Sequence, residues 1–142
     1  MKILLWLDDI RNPIAEPHWL TYSPIPKPYK TIKVIWVKSY NEFTEWITNN
    51  GLPDAICFDH DLGMDVLIEN SKSMSKRKAK KLRVGTKTGK DCANWLVDYC
   101  IDNNKDLPLY NIQSANPVGK ENIDGLLKGF NKFKNNHGKK EN

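Results

Sequence analysis

The chain has 142 residues, 39% hydrophobic and 27% charged, with a formal net charge of +5. That length suits one domain spanning 1–142 that buries its own core without staples, and the composition is ordinary for a soluble globular protein. No apolar run approaches the roughly 20 residues of a membrane span, and the opening "MKILLWLDD" turns acidic too early for a signal peptide.

In chain order, "KILLWL" is a short, fully apolar run stopped by Asp8-Asp9, the pattern of a buried parallel strand. Residues 12–30 follow with Pro13, Pro17, Pro24, Pro26 and Pro28, so a loop replaces the crossover helix expected there. His18 and Trp19 of that loop either overhang a site or cover the core. "IKVIWV" at 32–37 is a second strand. Ser39 and Glu42 form a capping box for a helix that turns Tyr40, Phe43 and Ile47 inward, and Asn49-Asn50-Gly51 ends it. "DAICFD" at 54–59 is a third strand. A basic insert at 64–87 carries "SKSMSKRKAKK". Thr88 caps a helix with the inward stripe Ala93, Leu96, Val97, Cys100 and Ile101. "LPLYNIQ" at 107–113 is a fourth strand, "SANPVG" is a turn, and Asn122 opens a last helix built on Ile123, Leu126, Leu127 and Phe130. The tail 135–142 is expected to fray. Cys57, Cys92 and Cys100 are odd in number and lack zinc-like spacing, so they read as reduced, buried thiols of a cytoplasmic protein.

Strands alternating with helices predict an α/β fold, a parallel sheet of about four strands with flanking helices. In such sheets ligands bind beyond the carboxyl ends of the strands, where the winding reverses. The first strand ends in Asp8-Asp9, the third in "FDHDLG" and the fourth in "SAN". Asp8, Asp9, Asp59 and Asp61 would repel one another there unless something positive intervenes. A hard divalent cation, Mg²⁺ or Mn²⁺, held by Asp8, Asp9 and Asp59, answers that need and leaves positions for phosphate oxygens. Singly, each acid also has a local reading, such as an Asx turn at Asp61 before Gly63. His60 lies between carboxylates, which suits proton transfer, although strand alternation would turn it into the core. Arg11 either pairs with an acid or clamps a phosphate. Ser114 and Asn116 sit where they can donate to phosphoryl oxygens, and a plain strand-to-helix turn is the other reading.

These motifs resemble the response-regulator receiver domain: an acidic pair after the first strand, an aspartate after the third, and Ser114-Ala115 after the fourth. More specifically, "LDDIRNP", "FDHDLG", "TGKDCANWL" and "SANPVGKENI" identify the chain as similar to the cyclic-phosphate-processing receiver-like family. The resemblance implies a flavodoxin/receiver-like fold and a metal-dependent phosphoesterase acting on cyclic phosphates of nucleotides or RNA ends. Asp59, His60 and Asp61 would then be catalytic, with Arg11, Ser114 and Asn116 on the phosphate. The basic insert would gather the polyanion. The alternative is a non-catalytic module that binds a cyclic nucleotide, RNA or a protein. A third reading is a true receiver phosphorylated on Asp59. After "SANPVG", however, there is room for one helix and no fifth strand with its terminal lysine, which argues against reversible phosphorylation.

Overall fold

A computed structural model of the protein describes residues 2–26, 31–62, 87–114 and 116–138. Pro28, Gly63, Ala115, most of the basic insert and the last four residues, on which the sequence carries expectations, lie outside these. The strands are β1 (Lys2–Leu7), β2 (Ile32–Val37), β3 (Ala55–Phe58) and β4 (Leu109–Ile112). The helices are α1 (Tyr40–Asn50), α2 (Gly89–Asn103) and α3 (Pro117–Gly138). All three strand pairings are parallel, in the order β2-β1-β3-β4. This is the four-stranded parallel sheet with flanking helices that the alternation of elements predicts, and it is consistent with the truncated flavodoxin/receiver-like fold that the resemblance implies.

The order explains where everything else lies. The chain steps one way from β1 to β2, then back past β1 to β3 and on to β4. Parallel crossovers keep one hand, so the change of direction moves the connection to the opposite face. The β1–β2 connection therefore covers one face, and α1, α2 and α3 cover the other. Side-chain alternation along the strands separates two cores accordingly. Leu5, Leu7, Ile56 and Phe58 meet Phe43, Ile47, Leu96, Ile123 and Leu127 from the helices. Leu4, Trp6, Ile32, Ala55 and Cys57 meet Leu20 and Ile25 from the proline-rich loop, which makes one 3-10 helix, Pro17–Tyr22. β1 and β3 are central and covered on both faces, hence their continuous apolar runs.

The caps are largely those of the sequence reading. Ser39 Oγ accepts from Glu42 N at 3.1 Å, the Ser39 half of the expected box. Thr88 and Asp91 form a complete capping box on α2. Gly51 closes α1 at φ 82°, where a side chain is disfavoured. The last helix differs. It opens at Pro117, not Asn122, because Asn116 Oδ1 accepts from Gly119 N at 3.0 Å and proline's fixed φ suits the first helical position. It also continues to Gly138, into residues expected to fray. Ile101 faces outward at 56% exposure instead of joining the α2 stripe. All three cysteines are free and buried. Among the described residues no helix is long and apolar enough to cross a membrane.

Leu96 is 1% exposed at the centre of the helical core. Leu96→Ala should therefore cost about 2–5 kcal/mol in denaturant unfolding, whereas Ile101→Ala on the same helix should stay within about 0.5 kcal/mol.

Candidate functional site: the acidic carboxyl edge

β1 and β3 are neighbours across the reversal in winding, and their carboxyl ends bring Asp8, Asp9 and Asp59 together. Each offers one carboxylate oxygen, and these oxygens lie within 4.8 Å of one another. Exposure is 1% at Asp8, 9% at Asp9 and 6% at Asp59, so the cluster is largely withdrawn from water. The Asp59 pKa is pushed up from 3.8 to about 7. Burial is the largest cause, followed by the charges of Asp8 and Asp9; the Arg11 guanidinium and a backbone hydrogen bond at Asp61 oppose it.

The backbone around the cluster is fixed from several sides. Asp8 Oδ1 accepts from Ile10 N and Arg11 N, both at 3.0 Å, so the carboxylate itself shapes the turn after β1. Two indoles tie that turn to the sheet: Trp36 Nε1 donates to the Asp8 carbonyl at 2.7 Å and Trp6 Nε1 to the Arg11 carbonyl at 3.1 Å. Gln113, the residue after β4, donates from Nε2 to the Leu7 carbonyl at 3.1 Å and from its amide to the Phe58 carbonyl at 2.9 Å. Its Oε1 is buried with no hydrogen-bond partner among the described residues. Arg11 Nη1 reaches Asp8 Oδ2 at 3.3 Å and the Gln113 carbonyl at 2.9 Å. Both alternatives for Arg11 thus remain chemically open: it is a partner of Asp8, and its fork keeps further N–H donors.

A second polar group lies on the same edge. His60 Nδ1 is 2.9 Å from Asp61 Oδ1, and Asn116 Nδ2 donates to the same oxygen at 3.3 Å. β3 ends at Phe58, so strand alternation no longer governs His60. Its ring is half-buried against the first turn of α3 instead of in the core. Asn116 is thus engaged twice, with Asp61 and as the cap of α3. Ser114 Oγ accepts from Asn116 N at 3.1 Å, which leaves its hydroxyl hydrogen to donate elsewhere.

Sequence reasoning passed over the two glycines that permit this closeness. A Cβ at Gly89 would overlap the Asp59 carbonyl, and a Cβ at Gly119 would overlap the His60 ring. The signal was present in "TGK" and "PVG", but a glycine near a helix start reads as a turn residue until its neighbour is known. Gln113 and the two indoles were hidden because each read as part of an ordinary strand.

The fold and this edge define a receiver-like α/β domain with an enlarged acidic and polar rim. The family described as cyclic-phosphate processing receiver domain matches residues 3–129, and the chain belongs to it. No curated protein and no solved structure matches the chain.

Gly125 and Gly129 lie in α3 with open space where a Cβ would go. Gly125→Ala should raise stability by about 0.5–1 kcal/mol in chemical unfolding, since helical glycine is entropically costly. Gly89→Ala should destabilise, because a backbone carbonyl stands in the way.

Proposed function

We propose that the protein is a metal-dependent phosphoesterase that opens cyclic phosphates of nucleotides or RNA ends. The observation that carries this reading is the convergence of Asp8, Asp9 and Asp59 within 4.8 Å at the reversal in winding of a family tied to cyclic phosphates. The donor set fits Mg²⁺ or Mn²⁺: all-oxygen, anionic and few enough to leave positions for water and phosphate. Asp8 already accepts three hydrogen bonds, but its two oxygens have about four lone-pair sites, so it can still ligate. A divalent ion held there supplies Lewis acidity at the phosphoryl group.

The remaining chemistry falls to side chains. With its Nδ1–H donated to Asp61, His60 keeps Nε2 as the basic atom. It takes the proton of a water attacking phosphorus and returns it to the ring oxygen as that P–O bond breaks. The product is an ordinary phosphomonoester with a freed hydroxyl. Ser114 and the remaining donors of Arg11 stabilise the phosphoryl oxygens as charge develops. The engagement of Arg11 and Asn116 in internal bonds favours one second reading, a non-catalytic module that binds the same ligand.

Turnover separates the two. The wild type should release ring-opened product from a nucleoside cyclic phosphate when Mg²⁺ or Mn²⁺ is added, and Asp59→Asn should lower that rate about 10²-fold or more. Binding of the ligand with no product over hours would leave the binding module.

The pH dependence of stability gives an independent check. A folded-state pKa of about 7, above the ordinary 3.8, means the metal-free fold holds a proton that the unfolded chain has lost. Its stability is full below about pH 4 and falls as pH rises through 7. A cation takes the proton's place, so the Mg²⁺-induced rise in Tm should grow from pH 6 to pH 8. Asn at position 59 should raise the metal-free Tm at pH 8 by about 3–10 °C and abolish the Mg²⁺ response. A cation response that is flat with pH, or that survives Asp59→Asn, would remove Asp59 from the metal site.

A further inference from the structure

His18, Trp19 and Tyr22 have no part in the chemistry above. They share the 3-10 helix on the face that, among the described residues, no α-helix covers. Their rings form one column: His18 and Trp19 have centroids 4.6 Å apart at 39°, and Trp19 and Tyr22 6.3 Å apart at 26°. Trp19 is half-buried and packs on the core below. His18 is exposed and Tyr22 is 40% exposed. His18 and Tyr22 therefore leave ring surface open to water.

The column is held in place. Trp19 Nε1 donates to Glu16 Oε2 at 3.0 Å. The Tyr22 carbonyl accepts from Asn111 Nδ2 at 2.6 Å, which fastens the helix to β4. Arg11 connects the column to the acidic edge: its Cζ lies 5.3 Å from the Trp19 ring, while its Nη1 is 3.3 Å from Asp8 Oδ2. Arg11 thus touches both the Trp19 ring and an Asp8 oxygen. Aromatic rings beside an arginine at the acidic edge suit a ligand that carries a flat π-system as well as a phosphate.

We propose that this column is the base-stacking half of the site, so that the ligand is a nucleoside cyclic phosphate and not a simple cyclic diester. The inference rests on the reading of the acidic edge as a cyclic-phosphate site. Stacking tolerates every base, so discrimination among bases is expected to be weak. A free nucleotide and an RNA 3′ end share this chemistry.

Calorimetric titration with a divalent cation present tests it. The probes are adenosine and uridine 2′,3′-cyclic phosphates, a short RNA ending in a 2′,3′-cyclic phosphate, and glycerol 1,2-cyclic phosphate, which has no base. Both nucleosides should bind about tenfold or more tightly than the glycerol compound. The double variant His18→Ala/Tyr22→Ala should erase most of that advantage while leaving glycerol cyclic phosphate affinity unchanged. RNA binding more tightly than the mononucleotides marks an RNA end as the source, and equal affinities mark a free nucleotide; both support the inference. Equal binding of the nucleoside and glycerol compounds overturns it and leaves the cyclic-phosphate site standing. So does a nucleoside advantage that survives the double variant, or a variant loss shared by the glycerol compound. Failure of every probe to bind ends both readings.

Discussion

Three carboxylates held within 4.8 Å of one another, each no more than 9% exposed, are costly to ionise together. The surrounding structure answers that repulsion. Arg11 brings one positive charge against Asp8, and backbone amides feed the Asp8 and Asp59 carboxylates. Two indole N–H groups and the Gln113 side chain secure the carbonyls of the same turns, so the chain cannot splay apart to relax the acids. The cluster sits where the winding of a parallel sheet reverses, the place where such folds have a crevice rather than a packed connection.

Much of the fold was legible because the period of the apolar pattern is a direct record of burial. β1 and β2 were readable to the residue: β1 is covered on both faces and needs no polar alternation, and β2, at the edge of the described sheet, is a β-branched and aromatic run with Lys33 as its exposed residue. The caps of α1 and α2 could be read from the side chains of Ser39 and Thr88, whose chemistry is local. The start of α3 could not, because a proline reads as a breaker until it is known that its missing N–H falls in the first turn. The meeting of Asp8, Asp9 and Asp59 was legible through topology. The partnership of Asn116 with Asp61 was not, since it spans 55 residues and depends on how closely α3 approaches the β3 end.

The polar rim adds side chains to a receiver-like architecture without a new fold. Among the described residues, no strand follows β4 and no lysine from such a strand reaches Asp59. The added groups come instead from the β3–α2 and β4–α3 turns: His60 and Asp61 from one, Asn116 from the other. They lie at the ends of elements that the core already fixes, so they can vary while the sheet remains as it is. On the opposite face the loop that replaces a helix covers the sheet with fewer side chains and leaves aromatic rings at the surface.

Gly89 and Gly119 set how closely α2 and α3 can approach the acidic edge. The space a side chain would need is filled by the Asp59 carbonyl in one case and by the His60 ring in the other. Any enlargement at Gly89 must move backbone, so the start of α2 and the end of β3 are spaced as one unit, and the position of Asp59 is set partly by the helix that follows it.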